Sequence, residues 1–165
     1  MHVHGMGAPA DLAAKLKPAI ALIDAAAKSP PAPPPSPSAG SLDGAALAKI
    51  VGQAGEQTGA VYKITIGRPD IDLREHGARI NARMGLNTWA AFTGSDADAM
   101  VAGDVAMLDS ELPAVLKALR SHGLNVVAIH HHMTGTMPAV IFLHYFGTGP
   151  AATLAAGVRA AVEAR

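Results

Sequence analysis

Apolar positions in this 165-residue chain recur with two periods. Leu112, Val115, Leu116 and Leu119 stand at helical spacing. Asp109 or Ser110 is placed to cap that helix, and Gly123 to stop it. A second helix is predicted from about Leu42, with Leu47, Ile50 and Val51 on one face, and a last helix over 151–163. Residues 60–66 alternate and are rich in β-formers. Residues 86–93, 100–107, 125–132 and 139–146 also read as strands, with a polar turn at Gly94–Ser95–Asp96 between two of them. Residues 67–83 are polar and extended, and read as an irregular hairpin turning at His76–Gly77. The predicted order is αβ(hairpin)ββαββα. Strands joined by short turns pair antiparallel, so the expected fold class is α+β: an antiparallel sheet with helices packed on one face. In that arrangement Leu112, Val115, Leu116 and Leu119 should face Val127, Ile129, Ile141 and Leu143. Trp89 and Phe92 differ by three positions in one strand, so they point to opposite faces; both are expected in the core.

The ends of the chain repeat one another. Residues 1–23 align with 143–165 at a constant offset of 142, with eight identical positions. His2/His144, Gly5/Gly147 and Gly7/Gly149 weigh most, because they fall at a strand end and turn. Residues 1–28 therefore read as the closing strand and helix of a preceding, truncated copy, with a strand over 1–6 and a helix from Pro9 that Pro18 should kink or divide. Residues 29–40 hold six prolines and read as a semi-rigid linker. Residues 41–165 form the complete domain. A short strand cannot stand alone, so residues 1–6 are expected to join a sheet edge, in association with the missing N-terminal copy or in a homodimer.

Composition narrows the function classes. Thirteen basic residues balance thirteen acidic ones, which leaves no electrostatic footprint for nucleic acid. No apolar run reaches the length of a membrane span. There is no cysteine, which excludes disulfides, thiolate metal sites and cysteine nucleophiles. The chain has no nucleophile elbow, phosphate loop, zinc-protease helix or EF-hand loop.

Histidine carries the candidate chemistry. His130, His131 and His132 end the strand over 125–132. Side chains alternate across a strand, so His130 and His132 share a face and His131 takes the other. A His-x-His pair on a strand can chelate zinc or copper. His144 is a candidate third ligand, but simple pairing of the last two strands sets His132 opposite Ala139. That leaves His144 opposite Val126 or Val127, roughly 17 Å along the strand from His132. His2 and His4 form a second His-x-His in the partial copy. Met133 and Met137 flank the histidine turn, and thioethers beside imidazoles would suit copper, particularly copper(I). The alternatives are hydrogen-bonded surface histidines, or acid–base catalysis with a carboxylate such as Asp104 or Glu111 in a cleft. Gly5–Met6–Gly7 and Gly147–Thr148–Gly149 read as structural turns, and the charges of 67–83 as a solvated loop.

Several of these segments resemble one family. Val61–Tyr62–Lys63–Ile64–Thr65–Ile66–Gly67–Arg68–Pro69–Asp70, Gly85–Leu86–Asn87–Thr88–Trp89–Ala90–Ala91–Phe92, Gly103–Asp104, and Ala128–Ile129–His130–His131–His132 with Pro138 and His144 look like the LppY/LpqO family. The resemblance covers residues 43–165. It implies secreted or lipoprotein bacterial proteins commonly built of two copies, hence an extracytoplasmic setting, and it implies no reaction. That family usually shows His, Asn, His where this chain has His130, His131 and His132, which marks His130 and His132 as the pair of interest. Its closing strand often carries a His-x-His, matched by His2 and His4, whereas the second copy has His144 and then Phe146. The expected function is an extracytoplasmic metal- or small-ligand-binding domain, non-catalytic, using His130, His132, His144, His2 and His4. The alternatives are a metal-dependent hydrolase on the same histidines, or a structural or interaction module.

Overall fold

The computed structural model describes residues 5–26 and 41–165. The chain divides into two units, Met1–Ser36 and Pro37–Arg165. The described part of the first is a single helix, α1 (Pro9–Ala26). It runs through Pro18 rather than dividing there: proline gives up one backbone hydrogen bond, and the flanking alanines and leucines keep the helix going. The expected strand over 1–6 falls largely outside the described residues, as do His2, His4 and the proline-rich linker.

The second unit is the α+β layer pair that the pattern predicts. A six-stranded antiparallel sheet runs in the order β1-β2-β5-β6-β8-β7. Its strands are β1 (Gly55–Thr58), β2 (Val61–Gly67), β5 (Asn87–Gly94), β6 (Ala99–Leu108), β7 (Asn125–His131) and β8 (Val140–Gly149). The short polar strand β1 is not predicted from sequence, because it has no apolar alternation to reveal it. A two-stranded hairpin of β3 (Arg74–Glu75) and β4 (Ala78–Arg79) turns at His76–Gly77, as expected.

Three helices cover one face: α2 (Gly44–Val51), α3 (Leu112–Ser121) and α4 (Ala151–Glu163). The Asp43 side chain accepts from the backbone N–H of Ala46 and starts α2. A short 3-10 turn over Asp109–Glu111 leads into α3. The residue that opens α3 is Glu111, not Asp109 or Ser110, and no side chain caps the helix; the Glu111 carboxylate accepts instead from Leu108 N–H at 2.7 Å. The core lies between helices and sheet: Val115 and Leu119 of α3, Leu154 and Val158 of α4, Phe92 of β5, Val105 of β6, and Leu143 and Tyr145 of β8. Gly103 has no side chain because the Tyr145 ring occupies the space a Cβ would need.

Two packing expectations are corrected. Val127 and Ile129 are 66% and 46% exposed, so α3 does not rest on them. α3 does pack against β7, where Val126 is the side chain partly buried against the core, and Ile141 and Leu143 lie in that core as expected, with Leu124. Trp89 is half-buried on the opposite face from Phe92, with the Lys63 ammonium 4.8 Å from its ring centroid. It does not join the core under the helices.

Among the described residues of this unit, the other face is covered over part of its area. The excursion between β2 and β5 crosses it and buries Ile71, Leu73 and Leu86 against Ala106, Val140 and Phe142. Arg68 anchors this excursion and is only 6% exposed. Its guanidinium donates to both Glu111 carboxylate oxygens at 2.8 and 2.9 Å, to Asp70 at 2.8 Å and to the Ala106 carbonyl at 3.2 Å. The expectation of a solvated charged loop therefore fails at Arg68, because a buried guanidinium needs partners on every side. Burial opposes ionisation of Glu111. The Arg68 and Leu108 hydrogen bonds outweigh it and hold the carboxyl below its usual range. Asp70 is lowered too, chiefly by its hydrogen bond from Arg68.

Candidate functional site

Beside the covered part of this second face lies a row of polar side chains. Its geometry begins with register. β7 and β8 pair His131 with Ile141, His130 with Phe142, and Ala128 with His144, and an irregularity falls between Val126 and Ala128. The simple hairpin register, with His144 opposite Val126 or Val127, is thus corrected. Val127 is the extra residue of the bulge, and the strand ends pair one step away from the expected match. A one-residue shift moves a side chain to the other face. Here it puts His144 on the face of His130, one diagonal step away, where ring side chains meet.

The two rings do meet. His130 Nε2 and His144 Nε2 are 2.7 Å apart. The ring centroids are 4.8 Å apart and the planes differ by 23°. The centroid separation exceeds the nitrogen separation by about two ring radii, so the rings lie edge to edge, with the two nitrogens pointing at each other. The outer nitrogens sit near acceptors: His130 Nδ1 is 3.4 Å from the His131 carbonyl, and His144 Nδ1 is 3.9 Å from Asp104 Oδ1. The 2.7 Å contact needs a proton on one Nε2, donated to the other, while the 3.9 Å between His144 Nδ1 and Asp104 is an ion-pair distance and not a hydrogen bond.

His132 shares this face, as strand alternation predicts. The His132 ring stacks on Phe142 at 3.5 Å between centroids and lies 5.0 Å from the His130 ring, nearly parallel to it. It presents ring faces to these neighbours, while His130 presents a nitrogen to His144. His131 takes the other face, with Nδ1 3.1 Å from the Val140 carbonyl. Met133 packs partly buried against the cluster that holds Phe142, whereas Met137 is 84% exposed.

Asp104 comes from the middle of β6. It pairs directly with His144 on one side and with Trp89 on the other, and is 5% exposed. Sequence reasoning left its role open. The available signal was a carboxylate at an alternating position of an otherwise apolar strand. Its partner was hidden because β6 and β8 are separated by α3 and β7. Burial, and then the Asp104 charge, push the neighbouring Tyr145 hydroxyl up beyond its usual range, so Tyr145 serves as a core residue, donating to the Trp89 carbonyl at 3.2 Å. Glu111, the other carboxylate considered for catalysis, belongs to Arg68 instead. Gly147 and Gly149 fall in the last strand, and Gly147 gives room for the Leu124 side chain. The turn expected at Gly147–Thr148–Gly149 is therefore the end of β8 instead.

Among the described residues no three histidine or carboxylate groups converge into a metal cluster, and no helix is long and apolar enough to cross a membrane. A separate cleft of about 650 Å³ lies by the excursion, lined by Gln53, Ile66, Ile80 and Asn81 among others.

Comparison with curated proteins gives no match, and comparison with solved structures gives none. Residues 45–164 match the family described as Domain of Unknown Function (DUF1259). That span includes all six strands of the sheet, Asp104 and the three histidines of this face, and on that match the chain belongs to this domain family.

Proposed function

We propose that this is a metal-binding domain, non-catalytic, whose centre is His130 and His144. The single observation that carries this is the opposed pair of Nε2 atoms at 2.7 Å, with Asp104 behind one ring. Two imidazole nitrogens at this separation are joined by a hydrogen bond, one ring donating its N–H to the other, and both face the place that a metal ion would take. A carboxylate behind a ligating imidazole is the usual means of fixing its tautomer and raising its basicity. The sheet preorganises both rings, so binding costs little ordering entropy. The resemblance to the LppY/LpqO family supports an extracytoplasmic setting.

Titration calorimetry of untagged protein with zinc and copper tests the proposal. His130→Ala and His144→Ala should each abolish binding, and His131→Ala should leave it intact, since that ring lies on the other face. Equal binding by all three variants would place the metal elsewhere, and the absence of any binding would remove the proposal.

One observation favours a second reading. The Asp104–His144 pair is also an acid–base arrangement, in which the carboxylate would support His144 as a proton acceptor. That reading expects an activity that survives metal chelators and is lost in His144→Ala.

A further inference from the structure

We infer that the cleft beside the excursion is a second binding site, separate from the histidines, and that its ligand is an aliphatic carboxylate, a fatty-acid-like monoanion. The cleft measures about 650 Å³, within the range of small-molecule sites. The end of β2 and the excursion after it form its walls. Ile66, Pro69, Ile71 and Ile80 supply the apolar surface. Among the described residues the lining has no aromatic ring to stack on a flat ligand, and branched aliphatic walls suit a flexible aliphatic body.

The polar side chains of the wall offer donors. Asn81 Oδ1 accepts from the backbone N–H groups of Arg83 and Met84, at 2.9 and 3.3 Å, so the Nδ2 hydrogens are what this amide has left to give. The Arg68 guanidinium is fully occupied by Asp70, Glu111 and the Ala106 carbonyl. The cation with donors to spare is Arg79. It lines the cleft and stands directly opposite Arg74 in the β3–β4 hairpin, where like charges repel. One carboxylate stands between the two: Asp72 Oδ2 is 3.2 Å from Arg74 Nε, and Asp72 Oδ1 is 3.4 Å from Arg79 Nε. Among the described residues, two guanidiniums thus share one carboxylate at the rim, and one positive charge is left unmatched. A single carboxylate head matches that charge, and a guanidinium fork takes a carboxylate through two parallel N–H bonds. A phosphate dianion would bring one negative charge too many beside Asp72.

The test titrates the full chain with octanoate and follows backbone amides by NMR, with octanol as the uncharged probe of the same length and octyl phosphate as the dianion. Octanoate should shift the amides of residues 66–71 and 79–82. Octanol should bind about 10-fold more weakly, and octyl phosphate no more tightly than octanoate. Arg79→Gln should weaken octanoate about 10-fold and leave octanol unchanged, whereas Ile80→Ala should weaken both. Arg74→Gln removes the neighbouring charge without altering the wall, and should cost octanoate less than Arg79→Gln does. His130→Ala should bind octanoate as the parent does. Circular dichroism checks that each variant is folded, and Arg79→Gln, on an exposed side chain, keeps the test open if Ile80→Ala is not. Octanol as tight as octanoate, or an equal loss in Arg74→Gln, would overturn the carboxylate contact with Arg79. Tighter binding of octyl phosphate would overturn the monoanion. Shifts confined to other parts of the molecule, or none at all, would overturn the site.

Discussion

The two faces of the sheet come from the same strands and obey different rules. Odd-numbered positions of β6 and β8, such as Val105, Leu143 and Tyr145, lie under three helices and are almost completely buried. Even-numbered positions of the same strands divide. Ala106, Val140 and Phe142 are sealed by the excursion that Arg68 anchors, while Asp104 and His144 one step along form the polar site. The helix face is built by apolar area, which is non-directional and tolerates approximate fit. The other face is built by a few directional contacts, each needing a specific atom at a specific place. Stability should therefore reside in the first face and chemistry in the second.

Changes under the helices should give the largest losses. Phe92→Ala should cost about 3–5 kcal/mol and Leu119→Ala about 2–5 kcal/mol in chemical denaturation, since both side chains are wholly buried. Leu116, equally prominent in the helical pattern, is only partly buried at the edge of the core and should cost less. Equal losses at Leu116 and Leu119 would mean that α3 is rotated from the orientation described.

Arg68→Ala attacks the anchor of the opposite face. Breaking a buried ion pair costs about 3–5 kcal/mol; the lower end, about 3 kcal/mol, is expected because Asp70 and part of Glu111 reach water. A loss near zero would show that apolar burial alone holds the excursion, and that the two faces are stabilised alike.

A smaller effect follows pH. Glu111 and Asp70 have carboxyls held below their usual range in the folded chain. As pH falls, the unfolded chain takes up protons first, so the stabilisation is present above about pH 4.3 and is lost as pH drops through the lowered folded values. Glu111→Gln should flatten this acid-side decline in urea midpoints measured across pH, and an unchanged slope would assign the decline to other carboxylates.

The smallest stability effect should come from the candidate site. His130→Ala and His144→Ala should each change stability by no more than about 0.5 kcal/mol while removing metal binding. A loss as large as that of Leu119→Ala would make the histidine row part of the structural core and erase the contrast between faces.

Local pattern by itself determined the α+β class, the positions of α2, α3, α4 and the longer strands, the hairpin at His76–Gly77, and the shared face of His130 and His132. Each of these depends on periodicity within one segment, which sequence displays directly. Only the tertiary structure decided the rest. The meeting of His130 with His144 depends on a single bulged residue, Val127, and a one-residue register step. The Asp104–His144 pair joins residues 40 positions apart on β6 and β8, neighbours in space and not in the chain, and the Arg68–Glu111 pair ties the start of the excursion to a turn 43 positions on. Side-chain alternation is a local property that any strand reveals. Which strand lies alongside, and in what register, is set by how the whole sheet and its helices bury their apolar faces together.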